Sequence, residues 1–330
     1  MASSRSLDFI TVDVFTQTKF LGNPLAVVLV PARLRDGLTQ ETKQRIAREF
    51  NLSETVFLHT ADDEPDGNSK TREIDIFTIE EELPFAGHPT IGSAYLVLNH
   101  LKWAHVDTLL TKSGPIRIAS AGGGVQAGIS HAVHVHGQTL RGLLDAAPAQ
   151  MEKVLGPALS DDPAVRNAEL DGRPVSIVKG MTFLLVELPS LEHLATVTKS
   201  NRMDFEAIPG LLDKGDWEGG FVARYYFVPT KTPKAEGGKL AWQIRTRMVE
   251  LGFEDPATGS AASTLASYLA IREKPALSAA FEITQGVEMG RESQISVEVL
   301  PEDTGNGQFR IKDVRLGGSA VVVMSGSISV

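Results

Sequence analysis

The chain has 330 residues, of which 42% are hydrophobic and 22% charged, and its net charge is −9. This length exceeds most single hydrophobic cores and fits two domains of ordinary size. The acidic balance argues against nucleic acid or an anionic membrane as the main partner. The absence of cysteine excludes disulfides, thiolate metal sites and a cysteine nucleophile. Any chemistry must therefore use carboxylate, imidazole or hydroxyl groups.

Hydropathy indicates no membrane partner and no secretory signal. The longest apolar run, Leu25 to Val30, has the length of a strand, and Met1 to Phe9 lack the apolar core of a signal peptide. We therefore expect a cytoplasmic protein.

The first part of the chain predicts short strands separated by two helices. Thr39 is a plausible N-cap for a helix whose apolar face holds Ile46, Ala47 and Phe50. Helices are predicted over 39–50 and 89–101, strands over 8–15, 25–30, 54–58, 72–78, 108–110 and 116–118, and a hairpin tip over 62–70.

The second part repeats this plan around one predicted helix, 260–271. Strands are predicted over 177–180, 183–188, 221–228, 242–248, 281–284, 294–299, 309–314 and 320–324, with a polar loop over 230–238. Many short strands with few helices do not make a doubly wound parallel sheet. The glycines at 122–124 either turn a hairpin or mark the crossing between halves, and they lack the spacing of a nucleotide-binding loop. We predict an α+β protein in two strand-rich halves, each built around one prominent helix.

Two segments that lie far apart in the chain share one sequence motif. The pattern His-Pro-x-x-Gly-Ser-Ala beginning at His88 matches Asp-Pro-x-x-Gly-Ser-Ala beginning at Asp255, an offset of 255 − 88 = 167 residues. Each segment opens a helix-like run. Helix N-termini offer backbone N–H groups and a favourable dipole to an anion. The pair therefore suggests a cleft that binds a carboxylate or a similar small anion.

Glu54 is the first candidate for acid/base chemistry. It precedes the apolar residues Val56, Phe57 and Leu58, so partial desolvation would raise its pKa toward the range useful for a general acid or base. The alternative is a solvated glutamate in a turn, which residue statistics alone favour.

His88 and Asp255 each have a functional and a structural interpretation. His88 precedes Pro89 at a predicted helix start, where the dipole favours a neutral imidazole, or it is a cap residue. Asp255 either caps the second helix or completes an anion site with the N–H groups of Gly259 and Ser260. Ser260 would donate its hydroxyl to an anion or serve as a cap.

The run from His131 to His136 invites a test as a metal site. In a strand, His134 and His136 face one side, which suits two ligands. No carboxylate stands at a supporting spacing in the sequence, so a solvated strand is favoured and no metal is predicted.

Six motifs spread in order over nearly the whole chain resemble the phenazine-biosynthesis PhzF-like family. They are Asp13 to Phe15, Gly22 to Val27, Leu52 to Thr55, Glu82 to Thr90, Glu254 to Ala261 and Gln285 to Arg291. The resemblance implies a diaminopimelate-epimerase-like fold, in which two similar halves each wrap a curved, mostly antiparallel sheet around a central helix. The active site is expected in the cleft between them, and the last strand is expected to return to the first half. The implied domains are 1–120 with 318–330, and 121–317.

The resemblance also implies site residues and an activity. Glu54 corresponds to the family's acid/base, which reverses the interpretation from residue statistics. The residues implied for catalysis are Glu54, His88 and Asp255, and those implied for binding the substrate carboxylate are Gly87, His88, Gly259 and Ser260. The expected activity is cofactor-independent isomerisation or epimerisation of a small carboxylated metabolite. The family favours a homodimer. The two helix-start segments can be aligned in two ways. One alignment pairs His88 with Asp255, and the other pairs Gly87-His88 with Gly259-Ser260.

The missing cysteines narrow the mechanism. Racemases of this fold use two cysteines at these helix starts, so a single carboxylate base remains, with an allylic proton shift or an elimination as its outcome. The alternatives are a lyase that uses the same base and a non-catalytic protein that binds a macromolecular partner. Glu292 stands where the family usually has Pro. Its charge could alter substrate choice if that loop reaches the cleft. The acidic stretch 62–66 and the loop 231–239 are candidates for the same effect, and the alternative is that they are surface features without a role in binding.

Overall fold

A computed structural model of the chain describes residues 6–60, 69–197, 203–236, 239–250, 252–273, 278–305 and 308–330. The strands are β1 (Ser6–Val14), β2 (Asn23–Pro31), β3 (Thr55–Thr60), β4 (Thr71–Phe77), β5 (Glu82–Leu83), β6 (Thr108–Thr111), β7 (Gly114–Ala121), β8 (Gly124–Gly128), β9 (His134–Val135), β10 (Arg173–Val178), β11 (Met181–Glu187), β12 (Phe221–Pro229), β13 (Lys234–Glu236), β14 (Lys239–Glu250), β15 (Phe253–Asp255), β16 (Ser278–Gln285), β17 (Ser293–Gly305), β18 (Gln308–Gly318) and β19 (Ala320–Ser329). The α-helices are α1 (Ala32–Arg35), α2 (Gln40–Phe50), α3 (Gly87–Tyr95), α4 (Leu140–Ala146), α5 (Pro148–Leu155), α6 (Pro163–Asp171), α7 (Leu191–Thr196) and α8 (Gly259–Arg272), with a π-helical turn at Leu96–His100 and a 3-10 turn at Phe205–Ala207.

The chain divides into two compact units. The first contains Met1–Ile129 and Arg315–Val330, and the second contains Ser130–Val314. Both combine strands and helices, and the strand pairs are mostly antiparallel. The mixture of helices and strands that the α+β prediction implies is confirmed.

The first unit packs a helix on each face of its strands. β1 lies between β19 and β2, and the order continues through β3, β4, β6, β7, β8 and β18. Val28 and Val30 of β2 join a core with Ile46 and Ala47 of α2, whereas Leu25 faces α3. Both faces of β2 are therefore buried, which explains its continuous apolar sequence.

Helix α3 is the central helix of this unit. Its residues are buried from its first turn to Ala94, and it contacts β1, β2, β3, β8 and β19. Gly92 lies so close to the strands that a Cβ there would stand 2.6 Å from Leu25 Cδ2 and 2.8 Å from Val14 Cγ2. A glycine is therefore required for this helix to approach the strands.

The second unit places α8 against its strands in a comparable way. The order is β9, β10, β11, β12, β14, β16, β17, with β11–β12 and β14–β16 parallel. α8 contacts β10, β11, β16 and β17, and it is rich in buried small residues such as Ala261, Ala262 and Ala266. Small side chains let its backbone lie close to the strands on more than one side.

Helices α4 to α7 correct the expectation of a single prominent helix in this unit. They form a second apolar core with strand residues such as Leu184, Val186 and Tyr226. No helix is predicted here from the sequence, although the apolar spacing of Leu140, Leu143 and Leu144 and the prolines at two helix starts are helix signals. Each helix is short, so its stability comes from tertiary packing and its sequence signal is weak. No helix in the described ranges is long and apolar enough to cross a membrane.

Candidate active site

The N-terminus of α3 has the geometry of an anion site. Ala86 is the N-cap and contributes no side-chain cap, and the turn's first intrahelical hydrogen bond runs from Thr90 N to Ala86 O at 3.3 Å. Pro89 has no N–H, so the N–H groups of Gly87 and His88 are the ones that precede this bond. Together with the helix dipole, they favour an anionic ligand group at this end.

Glu54 is a buried carboxyl group at the start of β3. Asn51 ends α2 in the left-handed conformation, and the chain then turns into the strand. The Glu54 side chain is 17% exposed, and its Oε2 atom is buried with no hydrogen-bond partner among the described residues. Burial raises the pKa of Glu54, and a hydrogen bond with the Ser53 side chain partly opposes the shift. The alternative of a solvated turn glutamate is therefore wrong.

His88 and Glu54 lie together, although 34 positions separate them in the sequence (88 − 54). His88 Nδ1 is 3.6 Å from Glu54 Oε2, and the His88 side chain is only 5% exposed. This separation is slightly longer than a hydrogen bond. The pair places a carboxyl group of raised pKa and an imidazole beside a helix N-terminus, which is an arrangement suited to moving a proton next to a bound anion.

The N-terminus of α8 is built differently from the expected Asp255 cap. Thr258 is the N-cap residue, and Asp255 is the last residue of β15. The Thr258 hydroxyl donates to Asp255 Oδ2 at 2.5 Å. Gly259 and Ser260 begin the helix, ahead of the bond from Ala262 N to Thr258 O. Asp255 is thus held next to the helix end without capping it.

The helix starts also decide between the two alignments. Gly87 is the first residue of α3 and Gly259 the first residue of α8, so the equivalent positions differ by 259 − 87 = 172. The alignment of His88 with Asp255 is wrong, because Pro89 lies inside α3 whereas Pro256 precedes α8.

Gln285, the last residue of β16, is not among the site residues expected from the sequence. Its side chain is fully buried, and it bonds to the backbone on both sides of the loop before α8. Gln285 Nε2 donates to Asp255 O at 2.8 Å, and Thr258 N donates to Gln285 Oε1 at 3.2 Å. The motif from Gln285 to Arg291 was the available signal, but glutamine carries no acid/base chemistry that would single it out.

Glu292, where the chain departs from the family pattern, and the two loops named with it occupy different places. Glu292 is exposed, and its carboxylate accepts a hydrogen bond from Gln294 at 2.8 Å. Within the loop 231–239, Lys234–Glu236 forms β13 and pairs with β14. The acidic stretch 62–66 lies outside the described residues.

His134 and His136 belong to a hydrogen-bonded network in which His136 is buried and His134 is partly exposed. Asp213 supplies the carboxylate that the local sequence lacks, with its Oδ2 2.7 Å from His134 Nε2. His136 Nδ1 accepts from Asp213 N at 2.9 Å, and its Nε2 lies 2.9 Å from Ser176 Oγ. Burial and the neighbouring His134 lower the pKa of His136. Both of its ring nitrogens are thus engaged by protein groups in a network that connects distant segments.

The Asp75 carboxylate in the first unit is likewise engaged by protein groups. Asp75 Oδ2 lies 2.6 Å from Lys43 Nζ and 2.7 Å from His59 Nε2. Its pKa is lowered by these hydrogen bonds and charges, which outweigh its burial. The Lys43 ammonium therefore forms an ion pair with Asp75.

Comparison with known proteins gives one family. The model of the phenazine biosynthesis-like protein family (PhzC-PhzF) matches residues 12–326. An uncharacterized isomerase from Mesorhizobium japonicum is 32% identical, over 97% of this chain and 98% of the relative. The trans-2,3-dihydro-3-hydroxyanthranilate isomerase of Pseudomonas aeruginosa is 29% identical, over 96% of this chain and 98% of that enzyme. A solved PhzF-family phenazine biosynthesis protein from Bacillus anthracis shares the fold with a TM-score of 0.67 at 19% identity, over 99% of this chain and 100% of the other.

Proposed function

This chain belongs to the phenazine biosynthesis-like (PhzC-PhzF) family, and on that premise we propose that it is an isomerase that moves a proton on a small carboxylated metabolite without a cofactor. The observation that carries the proposal is the buried Glu54 carboxyl group of raised pKa, 3.6 Å from His88 at the N-terminus of α3. Relatives that cover nearly the whole chain are named isomerases, which supports the same reaction class.

In this proposal Glu54 is the general acid/base. As a carboxylate it removes a proton from a carbon of the substrate, and as a carboxylic acid it returns a proton to a carbon further along the conjugated system. Both forms must be accessible, and a raised pKa brings the carboxyl group closer to the pH at which it works. Because the chain has no cysteine, a second thiol base is not available. With Glu54 as the single base, the proton leaves and returns on one face of the substrate.

Each of the two helix N-termini is assigned to bind a substrate carboxylate within its own unit. Gly87 and His88 supply N–H groups at the start of α3, and Gly259 and Ser260 supply them at the start of α8, where such groups stabilise negative charge. His88 is assigned to transfer a proton beside Glu54 or to orient the substrate there. Asp255 is assigned to orient a hydroxyl or amino group of a substrate.

The test is turnover in D₂O by wild type, Glu54→Gln and a control variant of the exposed Glu80, Glu80→Gln. The first substrate is trans-2,3-dihydro-3-hydroxyanthranilate, followed by a small-metabolite extract read by mass spectrometry. We expect a product of unchanged mass, or one heavier by a single deuterium, and a fall in kcat of ~10²–10⁴-fold for Glu54→Gln. Glu80→Gln should retain wild-type rates.

Each other outcome contradicts a different part of the proposal. A product that has lost water or another leaving group would identify a lyase that uses the same base. Unchanged turnover in Glu54→Gln would remove Glu54 from the mechanism. A wild type that alters no small carboxylate would favour a non-catalytic binding protein.

A further inference from the structure

We propose that Gln285 is a positioning residue that acts through Thr258 to hold the Asp255 carboxylate as a hydrogen-bond acceptor at the start of α8. The role in turnover rests on the proposed function, because it assigns Asp255 to the substrate. The hydrogen bonds that link Tyr225, Gln285, Thr258 and Asp255, called the relay below, lie entirely within the second unit.

The contacts of the Gln285 amide set its orientation. Its oxygen faces two donors, Thr258 N at 3.2 Å and the Tyr225 hydroxyl at 2.9 Å. Its nitrogen faces two acceptors, Asp255 O at 2.8 Å and Thr258 Oγ1 at 3.0 Å. Reversing the amide would oppose donor to donor at Thr258 N and acceptor to acceptor at Asp255 O. These two backbone contacts give the side chain one satisfied orientation, and the two hydroxyl contacts are compatible with it.

This orientation decides where the Thr258 proton points. A hydroxyl has one hydrogen, and Thr258 Oγ1 already accepts from Gln285 Nε2. Its hydrogen is therefore directed to Asp255 Oδ2, at 2.5 Å. Asp255 thus accepts a hydrogen bond from the Thr258 hydroxyl. A carboxylate held as an acceptor is suited to binding an ammonium or hydroxyl group of a substrate. The inferred substrate class is thus a small carboxylate that also carries a hydrogen-bond donor.

Burial holds the far end of this relay. Tyr225, Thr246 and Gln285 are each fully buried, and the Tyr225 hydroxyl lies 3.0 Å from Thr246 Oγ1. Burial raises the pKa of Tyr225, so its phenol stays protonated and keeps donating. At Gly286 a Cβ would stand 2.7 Å from Pro256 O. The strand end that carries Gln285 is therefore packed tightly against the loop that carries Asp255.

A substrate-independent experiment tests the relay. The free energy of unfolding is measured in urea for Thr258→Val, Asp255→Ala and the double variant, and for a matched pair in which the exposed Thr230→Val replaces Thr258→Val. The effects of Thr258→Val and Asp255→Ala should be non-additive, since each removes the same hydrogen bond, whereas those of the Thr230 pair should add. Additive effects for the Thr258 pair would overturn the relay whether or not the protein is an enzyme.

A kinetic experiment tests the positioning role on the substrate that wild type turns over. Thr258→Val should lower kcat by about tenfold with KM within about twofold, Thr258→Ser should restore it, and Thr258→Val should add no further loss to Asp255→Ala. Gln285→Met should reproduce the Thr258→Val effect if it folds. An unchanged kcat in Thr258→Val, or losses that multiply with Asp255→Ala, would overturn the positioning role. Non-additive stabilities together with a wild type that turns over nothing would support the relay and contradict the proposed function instead.

Discussion

Glu54 differs from the surface glutamates of this chain through its surroundings. Neighbouring residues bury the carboxyl group, and its Oε2 atom has no hydrogen-bond partner within the described ranges. The sequence shows apolar residues on one side of it, but a local pattern cannot reveal that α3 brings His88 to within 3.6 Å. The motif identified the residue, and the fold accounts for its environment.

The raised pKa of Glu54 predicts how pH affects stability. Between the ordinary pKa of 4.5 and the higher value in the folded protein, the folded state keeps a proton that the unfolded state has released. The free energy of unfolding of wild type, relative to Glu54→Gln, should therefore fall as pH rises through this interval. Urea unfolding of the two proteins from pH 4 to pH 8 measures this difference. A difference that stays constant or grows with pH would show that Glu54 is not buried in this way.

Gln285 and Thr258 show the limit of residue-by-residue prediction. Neither side chain is an acid or base, and 27 positions separate them (285 − 258). Their roles arise because β16 ends beside the loop before α8, where Gln285 bonds to Asp255 O and to Thr258. The hydrogen bonds of an amide depend on which partners the tertiary structure supplies.

At the scale of elements, α3 depends on a close approach to β1 and β2. A methyl group at Gly92 would stand under 3 Å from Leu25 and Val14, so the helix must shift or the strand residues must move. Because α3 also carries Gly87 and His88 at its N-terminus, a shift of the helix would displace the candidate site.

We therefore expect Gly92→Ala to lower the free energy of unfolding by ~1–3 kcal/mol through overpacking. Urea unfolding measures the change. Gly128→Ala is a matched control, because the nearest atom to a Cβ at Gly128 is Arg117 O at 4.0 Å, and its effect should stay within about 0.5 kcal/mol. Equal stabilities for wild type and Gly92→Ala would contradict the close packing.

The predicted strands and the two long motif-bearing helices correspond to elements of the structure, while α4 to α7 were missed. A strand such as β2 has a strong signal because both its faces are apolar. Short helices such as α4 and α7 have only seven and six residues, and they are stabilised by the shared core with β11 and β12. That core joins segments far apart in the chain, so their local sequence carries only part of the information.

At the scale of the whole molecule, the first unit is built from both ends of the chain. β19 pairs with β1 from Ser6↔Ser329 to Val14↔Ala320, and Leu316 of β18 pairs with Ala127 of β8. Leu316 and Ala320 are buried. The C-terminal segment therefore completes the unit that contains Glu54 and His88.

Deletion of residues 315–330 should prevent cooperative folding of the first unit, because β1 and β8 would each lose a partner strand and expose apolar surface. Circular dichroism during urea unfolding, together with solubility, tests this expectation. Removal of Val330 alone is the control and should leave the unfolding transition unchanged. A truncated chain with the wild-type transition would show that β19 is dispensable.

The sequence by itself determined the mixed α/β class, the family and the identity of the motif residues, because these depend on hydrophobic periodicity and on long runs of specific side chains. Tertiary structure decided which residue begins each motif helix, that Thr258 rather than Asp255 is the cap, and that Glu54 meets His88. It also brought Asp213 to His134 and Gln285 to Thr258. These outcomes depend on strand register and on close packing between distant segments. The interaction free energy of such a contact depends on both segments, so neither local sequence specifies it alone.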